Sequence, residues 1–202
     1  MNPLTSVKGS IVTGFVLAAI VSIWLTIATG TDVALHHAQL GRWLHIVSGV
    51  MWIGLLYYFN VVQVPGLADA AADKGGPGGA GISKYIAPRA LFWFRWAAVV
   101  TWITGAWYLG SGFGDGSAFV KAFTLQPGFR TIGVGAWLGT IMLFNVWVFI
   151  WPNQKKILGL APATDEQKAA ARKTALLASR TNFVLSIPML MCMGGQMHGL
   201  PF

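Results

Sequence analysis

The chain has a single cysteine, Cys192, and only six acidic residues in 202 positions. One cysteine permits no internal disulfide and no Cys-x-x-Cys-His attachment of a c-type heme, so any heme here would be held noncovalently. None of the carboxylates falls inside a long apolar run. That leaves no basis for paired general acids and bases, a carboxylate proton relay or a His-Glu-x-x-His zinc site. The glycine-rich stretch GGPGGAG at 75–81 has no Lys-Ser end and follows no strand, so it is not a phosphate loop. Charge of either sign is scarce, at 10% of residues, whereas 55% are hydrophobic and the mean hydropathy is +0.61. Such a composition excludes an ordinary soluble domain and predicts an integral membrane protein of the all-α class. The net charge of +8 does not argue for a nucleic-acid partner, because the basic residues lie between apolar runs and are not spread over a polar face.

Five apolar runs, at about 11–29, 40–64, 90–110, 131–151 and 175–197, reach the roughly 20 residues that a hydrocarbon core of about 30 Å demands. They predict one domain over 1–202, a bundle of five transmembrane helices. The first run is long for a signal peptide and its cleavage signal is weak, so it is expected to be a retained helix. The glycine, proline and alanine richness of 69–88 marks a loop. Pro152 is expected to end the fourth helix, and the DEQKAAARK stretch to form a short solvated helix before the fifth. Lys8, Lys74, Lys84, Arg89, Arg95, Lys155, Lys156, Lys168, Arg172, Lys173 and Arg180 fall on one side of this arrangement. Only Arg42, Lys121 and Arg130 fall on the other. The excess predicts a cytoplasmic N-terminus and a periplasmic C-terminus, as in a multi-pass protein of a bacterial inner membrane. All four histidines, His36, His37, His45 and His198, then lie on the outer side.

The stretch GRWLHIVSGVMWIGLLYYFN at 41–60 concentrates the candidate chemistry. At helical spacing His45 shares a face with Gly49 and Trp52. An imidazole inside a membrane is costly unless something binds it. His45 and His198 match in depth and can ligate the iron of a b-type heme axially. Gly49 would leave room for the flat macrocycle, Trp52 would wall it, and Arg42 would face a propionate. The plainer alternative is that Gly49 and Gly54 only let helices pack closely and that His45 bonds a neighbouring carbonyl. Copper is a further alternative, since Met189, Met191, Cys192, Met193 and His198 bring soft donors together. A helix cannot present all of them on one face.

The segments RWLHIVSGVMWIGLLYYFN, RALFWFRWAAVVTWITG, NVWVFIWPNQKKIL and RTNFVLSIPMLMCMGGQMH, in that order, resemble the N-terminal membrane domain of the bacterial cytochrome c-linked urate oxidase (urate hydroxylase) family, in a short form. Family members join this domain to a C-terminal c-type cytochrome, for which this chain carries no Cys-x-x-Cys-His. The resemblance implies redox chemistry at the outer face, with electrons leaving through a separate membrane or periplasmic cytochrome c or a neighbouring subunit. The His-then-Trp pattern of the second run is also similar to that of membrane protoporphyrinogen oxidases. Three functions therefore stand open: a b-type heme subunit for electron transfer in a larger membrane oxidoreductase, a cofactor-free accessory subunit of a membrane complex, or a urate-oxidising component served by a separate cytochrome c. Expected partners are membrane lipid, other membrane subunits and a cytochrome, with no nucleic acid.

Overall fold

A computed structural model describes residues 2–111 and 117–202. Every regular element among them is helical. The chain divides into two compact units, one ending at His36 and the other beginning at His37. The first holds α1, Val7–Ala28, which is apolar on every side. Its start is set by Ser6, whose hydroxyl accepts the Gly9 N–H at 3.0 Å.

The second unit begins with α2, His37–Ala72, and continues through α3, Ala87–Ser111. A short α4, Ala118–Phe123, follows, then α5, Arg130–Ile157, and α6, Asp165–His198. The antiparallel neighbours α2 and α3 pack along each other, as do α5 and α6, and contacts of α3 with α5 and of α2 with α6 close the unit. Between the pairs lies a core of Trp52, Leu56, Phe59, Phe94, Ala98, Met142, Val146 and Met189. Polar side chains tie the pairs together. Trp102 Nε1 donates to Thr140 Oγ1 at 2.9 Å, and Ser186 Oγ donates to Tyr57 Oη at 3.1 Å. Arg95 lies 3.6 Å over the ring of Trp151, so this cation of α3 is stacked on α5.

Three segments widen to π-helix: Tyr58–Gln63 inside α2, Ile82–Ile86 before α3, and Asn145–Ile150 inside α5. Each ends two residues before a proline, at Pro65, Pro88 and Pro152 respectively. A proline ring clashes with the carbonyl four residues back, and those carbonyls belong to Val61, Lys84 and Val148, all within the widened turns. Opening the turn relieves the clash and lets the helix continue. Pro152 therefore does not end its helix, which runs on to Ile157, and the fourth predicted run is corrected accordingly. The Asp165–Lys173 stretch is likewise the opening of α6 itself. A capping box starts it: Thr164 Oγ1 accepts the Gln167 N–H, and Gln167 Oε1 accepts the Thr164 N–H. The second run extends past its predicted end at 64 to Ala72, through the helix-favouring LADAAA.

Buried asparagines bond main-chain carbonyls just before two of the widened turns. Asn182, fully buried, donates to the Met142 carbonyl at 2.9 Å and accepts from Asn145 Nδ2 at 2.9 Å. Asn60 donates to the Leu56 carbonyl and to Ser179 Oγ, each at 2.9 Å.

Among the described residues, four helices, α1, α2, α5 and α6, are long and apolar enough to cross a membrane. The fifth predicted span is the 25-residue α3, whose length suffices, but Trp93, Trp96, Trp102, Trp107 and Arg95 dilute its apolarity.

Candidate functional site

Between the α2/α3 pair and the α5/α6 pair lies a cavity of about 820 Å³, a volume in the range of sites for organic ligands. Arg42, His45, Gly49, Trp52 and His198 all contribute to its wall. The four residues on α2 arrive there through helical periodicity, and His198 comes from the last turn of α6. His37 begins α2 but does not line the cavity.

His45 is half-buried and its Nδ1 lies 2.7 Å from the Thr101 carbonyl oxygen on α3. A carbonyl only accepts, so Nδ1 carries the proton and Nε2 keeps its lone pair. Bonding to a main-chain carbonyl is what the plainer reading asked for. It is also the arrangement that orients a histidine toward a metal. Gly105 makes it possible: a Cβ there would lie 2.8 Å from both Nδ1 and Cε1 of His45. Thr101 turns its own hydroxyl back to the Ala97 carbonyl at 2.7 Å.

The glycines of the wall separate into two kinds. At Gly105 a side chain is excluded by His45. At Gly54, Gly139 and Gly194 an added Cβ would meet nothing within 4 Å, and at Gly49 it would meet only Thr101 Cγ2 at 3.7 Å. Gly139 is nonetheless buried. All four line the cavity, and at Gly54, Gly139 and Gly194 no neighbour fills the place of a side chain. Exposed Ile46, Val50 and Leu190 form part of the same wall, so it meets the apolar outer surface of the bundle.

Two polar groups complete the wall. Trp52 is 2% exposed, and its indole Nε1 has no hydrogen-bond partner. Gln196 joins the start of α5 to the end of α6: its Oε1 accepts the Ile132 N–H at 3.0 Å and its Nε2 donates to the Gly128 carbonyl at 2.9 Å. The soft donors near the end of α6 are divided. Met189, Met193, Met197 and His198 line the cavity, Met191 is exposed, and Cys192 is buried beside Gly135. No group of three or more His, Cys, Asp or Glu side chains placed to hold a metal ion occurs among the described residues.

Sequence reasoning passed over Thr101, Gly105, Gly139, Gly194 and Gln196. Thr101 acts through its main chain, which leaves no signature in the residue type. Gly105 and Gly139 are visible as glycines inside apolar runs, but nothing local says which neighbour each accommodates.

No curated protein and no solved structure matches the chain. Residues 116–201 match the family model described as urate oxidase N-terminal. Two of the four segments that carried the resemblance, NVWVFIWPNQKKIL and RTNFVLSIPMLMCMGGQMH, lie inside the match, while the His45 segment lies before it. The part of the chain that supplies α5, α6 and the His198 side of the cavity is thus similar to the N-terminal region of urate oxidases.

Proposed function

We propose that this chain is an integral membrane protein that holds one b-type heme in the cavity between its helix pairs and serves electron transfer within a larger membrane oxidoreductase. The single observation that carries the reading is His45, with its Nδ1 proton committed to the Thr101 carbonyl and its Nε2 free at the wall of a cavity that His198 also lines. The residues present fit the group. Gly54, Gly139 and Gly194 leave side-chain-sized clearings for a flat macrocycle, Trp52 supplies an aromatic wall, and Arg42 offers a cation for a propionate. His45 and His198 would hold the iron. Bound there, heme supplies one-electron redox chemistry at a potential that its axial ligands and surroundings set. The protein's own part is to orient His45 through Thr101, to keep water from the apolar wall, and to fix the closing end of α6 through Gln196.

The charge asymmetry supports five spans including α3, with the N-terminus cytoplasmic and His45 and His198 toward the periplasmic face of a bacterial inner membrane. Electrons would then pass to a separate cytochrome c or a neighbouring subunit. The test is the reduced-minus-oxidised spectrum of the purified full chain. b-type bands that are lost in His45→Ala and altered in His198→Ala are expected; a featureless spectrum, or bands unchanged in His45→Ala, would sink the reading.

A second reading, urate oxidation with a cytochrome c in trans, is favoured by the family match and by the unpartnered Trp52 N–H, which suits an oxygen acceptor on a bound ligand. Urate-dependent reduction of added cytochrome c separates it from the first. A cofactor-free accessory role would instead appear as copurification with a larger complex and no chromophore.

A further inference from the structure

A second cavity, of about 700 Å³, lies at the other end of the bundle, against the widened turns. Its inner wall is apolar, with Leu91 and Phe94 buried there. Its polar lining includes Ser83, Gln154 and Ser179, and two further kinds of group bear on a ligand. Gln63 presents a buried amide oxygen, Oε1, with no hydrogen-bond partner. Lys84 and Arg172 stand in the wall as exposed cations, and neither has an ionic partner among the described residues. Each of the three widened turns contributes a wall residue, Gln63, Lys84 and Ile150, and such turns recur at functional sites.

We infer that this cavity binds a membrane glycerophospholipid with an anionic, hydroxyl-bearing head group. The phosphate answers Lys84 and Arg172, and a head-group hydroxyl supplies the donor that Gln63 Oε1 lacks. An acyl chain covers the apolar inner wall. A choline head group meets these requirements less well, since its quaternary ammonium offsets the phosphate charge beside Lys84 and Arg172 and it has no hydroxyl donor for Gln63 Oε1. Lys84 and Arg172 belong to the side of the bundle with the excess of basic residues, where an anionic leaflet is the expected neighbour. The inference stands whatever the first cavity holds.

The experiment is native mass spectrometry and thermal unfolding of the full chain in mild detergent, with phosphatidylglycerol, phosphatidylcholine or dodecyl phosphate added. Phosphatidylglycerol should be retained and raise the midpoint temperature, with phosphatidylcholine doing neither. Lys84→Gln combined with Arg172→Gln, both at exposed positions, should weaken phosphatidylglycerol binding roughly tenfold or more. Gln63→Leu should narrow the preference for phosphatidylglycerol over phosphatidylcholine while the chain stays folded. Equal retention of phosphatidylcholine, or phosphatidylglycerol binding unchanged in the double variant, would overturn the inference. Binding of dodecyl phosphate without phosphatidylglycerol would overturn the assignment to a lipid and point to a soluble anionic amphiphile.

Discussion

His45 reaches from α2 across to α3 and gives its Nδ1 proton to the Thr101 carbonyl at 2.7 Å, and it can lie there because residue 105, one turn further along α3, has no side chain. The pairing fixes both the tautomer and the direction of the imidazole. It makes Gly105 as much a part of the site as the histidine.

Gly105→Ala places a methyl group 2.8 Å from the ring and must displace it. Overpacking of this kind costs about 1–3 kcal/mol, so a lower midpoint of thermal unfolding in detergent is expected. Gly49→Ala is the control, since its Cβ finds only Thr101 Cγ2 at 3.7 Å. An unchanged midpoint in Gly105→Ala would show that His45 does not rest against this turn.

Gly139→Ala should do the opposite. The position is buried but clear of neighbours within 4 Å, and exchanging a helical glycine for alanine favours folding by about 0.5–1 kcal/mol. The expected result is a higher midpoint for the ligand-free chain together with weaker retention of any cavity ligand. A lower midpoint would mean that the helices close on Gly139 and that no clearing exists there.

Asn182→Ala removes a second donor to the Met142 carbonyl and the acceptor for Asn145 Nδ2. With the site fully buried, the groups left behind cost about 1–3 kcal/mol. The apparent midpoint should fall clearly, and a value within error of the parent chain would dismiss the asparagine's role at the widened turn.

Gln196→Ala should act locally. Ile132 lies in the first turn of α5, where main-chain N–H groups have no helical acceptor, and Gln196 provides one at 3.0 Å. Loss of about 1 kcal/mol of protection corresponds to roughly fivefold faster amide exchange at 130–133, measured by deuterium uptake, with the core of α5 unchanged. Equal uptake in both chains would show that this end of the cavity is held by other contacts.

Much of this protein is written in the order of its residues. Helices follow from runs such as 11–29 and 175–197 because main-chain groups in an apolar setting must bond within their own segment, and helical periodicity alone sets Arg42, His45, Gly49 and Trp52 toward one cavity. Pro152 shows where local reading stops. A proline clashes with the turn before it, but here the helix widens over Asn145–Ile150 and runs on to Ile157, and Asn145 at the start of that turn is bonded by Asn182, 37 positions further on in another helix. The glycines teach the same lesson. Gly105 and Gly139 look alike in sequence, yet one is filled by His45 and the other faces open space, because what occupies the space beside a glycine is decided by which helix packs there. Composition and periodicity therefore determined that the chain is helical and apolar and that His45, Gly49 and Trp52 share a helix face. Only the pairing of α2 with α3 and of α5 with α6 decided what that histidine bonds, where the two cavities open and which polar atoms are left for a ligand to answer, since each of these is a distance between segments far apart in the chain.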